Sequence, residues 1–267
     1  MTHRKIINRS LPAVVLVFIT ATFFAGCAGL GTKPTPEEYE AAVRGRVVLA
    51  MLKNQNSGLE NFKGIGRIKI WRQGQLEINE RLAWIGSRPD RLSIAVLVSG
   101  FAAIKMAADG KWFYYYEARS NPPVYKKIRA GDASLKRIIA VEIKTSDILT
   151  LLAGRVPLRD HRQALLVDEG SEYKGSVLVL KQRWLGTIEK IYLDENGSQV
   201  QAVEFFDRSG NLAYRVRFDR MQVLNGYRVP SRLVITNGED TQVAIDIYRY
   251  QADIDVTPSM FALPPPD

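Results

Sequence analysis

The chain has 267 residues, and its 37 lysines and arginines against 28 aspartates and glutamates give a formal net charge of +9 at pH 7. The basic residues are dispersed along the chain instead of clustered, which argues against nucleic-acid binding. Two histidines and one cysteine are too few for a His/Cys metal cluster, and a lone cysteine cannot form an internal disulfide.

The N-terminus is typical of a bacterial export signal. Basic residues precede an apolar stretch from Leu11 to Gly26, and no acidic residue occurs before Glu37. This stretch is shorter than the roughly 20 residues that a stable transmembrane helix needs, so we predict an export signal. A short N-terminal membrane anchor is the alternative.

The segment Phe24-Ala25-Gly26-Cys27 resembles the bacterial lipobox. That resemblance implies cleavage between Gly26 and Cys27 and lipidation of Cys27, the only cysteine, with palmitate-like acyl chains. Residue 28 is alanine instead of the aspartate that retains lipoproteins in the inner membrane, which implies the outer membrane. We therefore predict three segments: a signal peptide over residues 1–26, a lipidated N-terminus and tether over 27–36, and one folded domain over 37–267.

Thr35-Pro36-Glu37-Glu38 is a helix start, with threonine as N-cap, proline at the first helical position and Glu38 completing a capping box. We predict a helix to about Asn54. Its apolar residues recur at helical spacing and predict one face that another element must cover, formed by Tyr39, Val43, Val47 and Ala50.

From Phe62 onward, apolar and polar residues alternate, which is typical of half-buried strands. Short turns such as Asp109-Gly110 and Asn225-Gly226 separate the strands, so neighbouring strands should be antiparallel. The pattern predicts about eleven strands in a mainly β (α+β) fold with a large curved or barrel-like antiparallel sheet. The segments are Phe62–Arg72, Gln75–Trp84, Arg91–Val98, one strand from near Ala103, Lys111–Glu117, Gly175–Trp184, Gly186–Leu193, Gln199–Asp207, Asn211–Arg220, Tyr227–Thr236 and Thr241–Tyr250.

A helical interlude interrupts the strands. Ala133–Ile143 has helical apolar spacing, and Ser146-Asp147 predicts the cap of a second short helix over Ile148–Ala153 that stops at Gly154. These helices and the N-terminal helix could lie across an open sheet and cover its concave face.

The sequence gives no pattern for catalysis. His161, in Arg159-Asp160-His161-Arg162, is expected in an exposed turn, and no serine lies in a nucleophile elbow. Gly64-Ile65-Gly66 lacks the third glycine and following helix of a phosphate loop, and we expect those glycines to bend a strand or to let a helix pack close against it. We expect a protein that is not an enzyme and that uses no metal or cofactor.

The order of elements resembles the LolA/LolB superfamily of lipoprotein localisation factors, and its LolB-like outer-membrane lipoproteins in particular. The resemblance covers roughly Glu37 to Leu263. It is carried by Gly64-x-Gly66-x-Ile68, Trp84, Arg88-Pro89-Asp90-Arg91-Leu92, Asp109-Gly110 and Ile148-Leu149-x-Leu151-Leu152-x-Gly154-x-x-Pro157-Leu158. It implies an unclosed antiparallel half-barrel with a helical lid, an apolar cavity for the acyl chains of lipoproteins, and a LolA-like periplasmic carrier as partner.

Two sets of site residues follow from the resemblance. The cavity should be lined by apolar residues that could equally pack a solid core, namely Ile68, Ile70, Leu82, Trp84, Ile94, Val96, Leu149 and Leu152. The family's membrane-insertion loop corresponds to Gly100 and Phe101, where Phe101 either projects into the membrane or fills the core.

We therefore expect a monomeric lipoprotein, anchored in the outer membrane and facing the periplasm, that binds acyl chains and helps deliver lipoproteins to the membrane. One alternative is a superfamily relative that carries another amphiphile, such as a glycolipid. The other is an anchored envelope scaffold that binds a protein partner and no lipid.

Overall fold

The computed structural model describes residues 35–139, 141–168, 172–238 and 240–266. Within this part of the chain, thirteen strands form a single antiparallel sheet and three α-helices accompany it. The helices are α1 (Pro36–Asn54), α2 (Lys136–Ile139) and α3 (Thr145–Leu152). The strands are β1 (Asn61–Arg72), β2 (Gln75–Ser87), β3 (Arg91–Val98), β4 (Phe101–Asp109), β5 (Trp112–Glu117), β6 (Val124–Arg129), β7 (Gln163–Val167), β8 (Val177–Gln182), β9 (Gly186–Leu193), β10 (Val200–Phe206), β11 (Leu212–Leu224), β12 (Tyr227–Thr236) and β13 (Thr241–Ala252).

The order across the sheet is β6-β5-β4-β3-β2-β1-β13-β12-β11-β10-β9-β8-β7. Two meanders, β1 to β6 and β7 to β13, are therefore joined where the first strand pairs with the last. The edge strands β6 and β7 do not pair with each other, so the sheet stays unclosed. The predicted fold class, a curved antiparallel half-barrel with helices, is confirmed.

The count of about eleven strands was two too low. The strands that were missed, β6 and β7, are the two edges of the sheet and have only 6 and 5 residues. Edge strands are commonly short and charged, as in the Lys126-Lys127 pair of β6, so their alternation is weak.

Helix α1 has the predicted bounds, but the predicted apolar face was wrong. Tyr39, Val43 and Val47 are exposed, and the buried face consists of Ala41, Gly45, Val48, Leu49 and Leu52. The reason is a close approach: a Cβ at Gly45 would overlap the backbone carbonyl of Ala164 in β7. Gly45 therefore lies on the contact face, because a residue without a Cβ allows the helix to lie against that edge strand.

The predicted helix over Ala133–Ile143 is reduced to the four residues of α2. Ser134 pairs with Lys144 in an isolated bridge, and the Leu135 N–H donates to the carbonyl of Ile143. The chain reverses direction at this bridge, which prevents a continuous helix. Helix α3 begins three residues earlier than predicted, and no side chain caps its N-terminus.

Alternate residues of the strands point to one inner face, where they and α3 form the main buried cluster. The two glycines of β1 serve that face in different ways. A Cβ at Gly64 would overlap the Trp84 ring, and Gly66 lies at a bulge between β1 and β13, where a Cβ would overlap the carbonyl of Asp246. Gly66 thus bends the strand, as expected, whereas Gly64 makes room for the Trp84 side chain of β2 instead of a helix.

Candidate functional site

All eight predicted lining residues are buried in the inner-face cluster, with exposed fractions of 6% or less. Those on the sheet are Ile68, Ile70, Leu82, Trp84, Ile94 and Val96, and those on α3 are Leu149 and Leu152. The gap beside Ile94 totals about 170 Å³ but has no room for a water molecule. In this conformation, α3 therefore fills the concave side that the sequence predicted as a cavity.

An open hollow of about 260 Å³ borders this packed region, between the end of α1 and strands β10 to β12. Its apolar lining consists of Met51, Val200, Phe218 and Met221, and its polar lining of Gln55, Ser198, Gln199 and Arg228. The two methionines are only partly buried against the inner-face cluster. Methionine side chains are flexible and adapt to irregular apolar ligands. The hollow thus gives solvent access to the edge of the apolar interior.

A buried polar cluster ties α3 to the sheet. Arg159 donates two hydrogen bonds to the carboxylate of Asp147, at 3.0 and 2.7 Å, and a third at 3.0 Å to the hydroxyl of Tyr214 on β11. The Tyr214 hydroxyl donates to Asp147 at 2.8 Å. Asp147 was predicted to cap α3; instead its side chain, 4% exposed, binds Arg159.

The pKa values of Arg159 and Tyr214 are both shifted. Burial alone would lower the pKa of Arg159, but the hydrogen bonds and charge of Asp147 raise it above its usual value. Burial, with the negative charge of Asp147 beside it, raises the pKa of Tyr214. The arginine therefore stays charged and the tyrosine stays protonated, which preserves the link between α3 and β11.

Glu189 on β9 completes the cluster. Its side chain is fully buried, one carboxylate oxygen accepts the backbone N–H of Arg159 at 2.9 Å, and the other oxygen has no hydrogen-bond partner. Burial raises the pKa of Glu189 to about 8. The side chain is therefore mostly protonated at neutral pH.

This cluster was not predicted from the sequence. The segment Arg159-Asp160-His161-Arg162 was expected to form an exposed turn, whereas the side chain of Arg159 is only 28% exposed. Its partners Asp147 and Tyr214 lie 12 and 55 residues from it along the chain, so sequence spacing could not connect them.

The predicted insertion residues lie at the tip of the β3–β4 hairpin. Ser99 and Gly100 form its turn with positive φ angles of 52° and 86°. Phe101, directly after the turn, is 80% exposed, which excludes the core-filling alternative.

A second aromatic tip was missed. Trp184 in the β8–β9 connection is 86% exposed, and the Arg183 guanidinium lies 5.1 Å from its ring. Because neighbouring strands alternate in direction, this connection and the Phe101 hairpin emerge from the same end of the sheet. Trp184 was predicted at the end of a strand. The glycine in the following Leu185-Gly186 was the feature of the sequence that indicated a turn.

The predicted cleavage and lipidation residues, Gly26 and Cys27, lie outside the described residues. None of the helices in the described ranges has the length and hydropathy to cross a membrane. Within those ranges, no three His, Cys, Asp or Glu side chains are grouped to hold a metal ion.

No protein-family model matches the chain, and no curated protein matches its sequence. Solved structures with the same fold do exist. A DUF1329 family protein from Desulfovibrio piger is 14% identical with a TM-score of 0.57, and the alignment covers 86% of this chain and 98% of that one.

Two further structures give almost the same result. A LolA superfamily protein from Nitrosomonas europaea and a putative outer membrane lipoprotein-sorting protein domain from Vibrio parahaemolyticus are each 13% identical, with a TM-score of 0.56. Each alignment covers 82% of this chain and 97% of the other. The chain therefore has the fold found in these LolA superfamily and DUF1329 proteins, and the comparisons do not single out a LolB-like branch.

Proposed function

We propose that this protein is a lipid-anchored envelope lipoprotein that binds the acyl chains of lipoproteins between the inner face of its sheet and α3, and helps deliver them to the outer membrane. One observation carries the proposal. The apolar inner face packs against α3, a helix of only eight residues, which the buried Asp147 cluster and one hydrogen bond from the Tyr250 hydroxyl to the Leu152 carbonyl tie to the sheet.

The exchange of α3 for an acyl chain is energetically balanced. Burial of the four large apolar side chains of α3 contributes about 1.5–3 kcal/mol each, or about 6–12 kcal/mol together. A 16-carbon acyl chain gains about 0.8 kcal/mol for each CH₂ it buries, which gives about 12 kcal/mol. A chain that enters through the hollow beside Met51 and Met221 can therefore replace the apolar burial that α3 loses, while breaking the Asp147–Arg159 pair adds a cost of about 3 kcal/mol.

The remaining parts of the proposal concern the membrane. Lipidation of Cys27 after cleavage behind Gly26 holds the protein in the outer membrane, facing the periplasm. A LolA-like soluble carrier supplies the cargo, and the exposed Phe101 enters the membrane interface during release. The protein acts by binding and transfer, without catalysis.

Two experiments test the proposal: extraction of bound lipid from the purified protein, and lipopeptide binding by a variant in which α3 is held less firmly. Protein purified from envelopes should yield acylated peptides on extraction and mass spectrometry. Asp147→Asn loosens α3 and should bind a fluorescent triacylated lipopeptide about tenfold more tightly than the natural protein. Glu77→Gln, which removes a half-exposed ion pair with Arg72, is the matched control and should bind as the natural protein does.

The acyl-binding proposal would be refuted if no lipid is extracted and neither the natural protein nor Asp147→Asn binds the lipopeptide. That result would favour an anchored scaffold. The anchor is tested separately. Cys27→Ala should abolish labelling with radioactive palmitate, and persistent labelling would contradict lipidation at this residue.

A further inference from the structure

The outer face of the sheet, opposite α3, has a preformed groove. We define it by two rows of outward-pointing residues that the strand register places across β13, β1, β2 and β3. The first row is Arg249, Ile65, Ala83 and Ala95, and the second is Gln251, Lys63, Ile85 and Ser93. All eight line a hollow of about 390 Å³.

The sequence explains why the sheet is hollow here. Ala83, Ser93 and Ala95 are small, so they leave a depression beside the larger Ile65 and Ile85. The bulge between β13 and β1 bends the sheet next to Ile65. A volume of 390 Å³ lies within the range of small-molecule sites, which is about 300–1,000 Å³.

The floor of the groove is apolar, and its charges are of one sign. Ile65 is 44% exposed, although an isoleucine gains free energy when it is covered. Lys63 and Arg249 occupy diagonal positions on adjacent strands, where like charges repel. Neither makes an ion pair with any residue that the structure describes, and Asp246, in the next row, already binds Arg232 and Lys69.

We propose that the groove binds a long-chain fatty acid, with its acyl chain on Ile65, Ala83 and Ile85 and its carboxylate between Lys63 and Arg249. An anion at that position removes the repulsion between the two cations, and a guanidinium can bind a carboxylate through two hydrogen bonds. An acyl chain covers the exposed isoleucine and needs no hydrogen bonds of its own, which suits an apolar floor.

This site is independent of the proposed transport function. The eight outward-pointing residues of the groove lie on the face opposite the α3 site, so they can be altered separately, although Gly64 and the inner-face residue Trp84 also border the groove. A fatty acid is also smaller than a lipoprotein cargo, and it needs no movement of α3 to enter the groove.

The groove is tested with cis-parinaric acid, a fluorescent 18-carbon fatty acid, titrated below its critical micelle concentration at low ionic strength. Ala83→Phe fills the hollow from the outer face and should weaken binding at least tenfold. Lys63→Glu with Arg249→Glu should weaken it about tenfold, because two attractive charges become repulsive. Arg220→Glu, an exposed charge reversal on β11, should stay within twofold of the natural protein.

Two further measurements locate the ligand. The uncharged analogue, parinaryl alcohol, should bind the charge-reversed and natural proteins equally, and a photoactivatable fatty acid should label peptides that contain Ile65 or Ile85. Ala95→Leu fills the hollow more gently and replaces Ala83→Phe if circular dichroism shows that the phenylalanine variant does not fold. Any one of three results would overturn the proposal: labelling of Leu149 or Leu152 instead, no loss of affinity in the variants, or binding to anionic vesicles alone.

Discussion

Glu189 should make the stability of the protein fall as the pH rises. Burial raises the pKa of Glu189 to about 8 in the folded protein, from 4.5 as the ordinary value. Between these values the folded chain keeps a proton that the unfolded chain has released. The contribution to stability is therefore full below pH 4.5, declines as the pH rises, and is lost above about pH 8.

The size of the effect follows from the same two values. Each pH unit is worth about 1.36 kcal/mol, so the interval from 4.5 to 8 gives roughly 4–5 kcal/mol. Glu189→Gln mimics the protonated acid, because its amide oxygen still accepts the Arg159 N–H that lies 2.9 Å from the carboxylate. The variant should match the natural protein at pH 5 and exceed its free energy of unfolding by several kcal/mol at pH 8.5.

The assay is urea denaturation, followed by circular dichroism, at half-unit steps from pH 5 to 9. Glu195→Gln, on an exposed turn, is the matched control and should keep the slope of the natural protein. If Glu189→Gln also keeps that slope, Glu189 is ionised in the folded protein and the reasoning from burial is wrong.

Three other predictions follow from the structure. Asp147→Ala should lower the free energy of unfolding by about 3 kcal/mol, because it leaves Arg159 without its buried partner; a loss under 1 kcal/mol on denaturation would contradict this. Phe101→Glu should change stability by less than about 0.5 kcal/mol while reducing lipopeptide transfer into liposomes several-fold, and unchanged transfer would reject insertion of this hairpin. Gly64→Ala should cost about 1–3 kcal/mol, measured as a lower thermal midpoint, because its Cβ overlaps the ring of Trp84; an unchanged midpoint would show that the ring moves freely.

The parts of the fold that were predicted correctly depend on residues that lie close together in the sequence. The bounds of α1 follow from Pro36 at its start, and the β4–β5 hairpin follows from Asp109-Gly110 between two strands. In each case the deciding residues lie within a few positions of one another. The exposure of Phe101, which the sequence left open, follows from its position directly after the Ser99-Gly100 turn.

Features set by distant contacts could not be predicted. The face of α1 that packs was chosen by the approach of Gly45 to Ala164, which lies on a strand more than 100 residues away. The pairing of Asp147 with Arg159 depends on where the segment after α3 crosses the sheet. The outer groove depends on the register of four strands, since no single strand shows that Ala83 and Ala95 lie side by side.

The pairing of β1 with β13 has a consequence for how the chain acquires its structure. Partners in this pair are about 170–190 residues apart, whereas most other strand pairs are neighbouring hairpins. Hairpins close early because their loops are short, and contacts of such long separation form late. The two meanders should thus assemble as separate intermediates, each exposing one unpaired long strand, and a chain truncated before Thr241 would keep β1 as an open edge prone to aggregation.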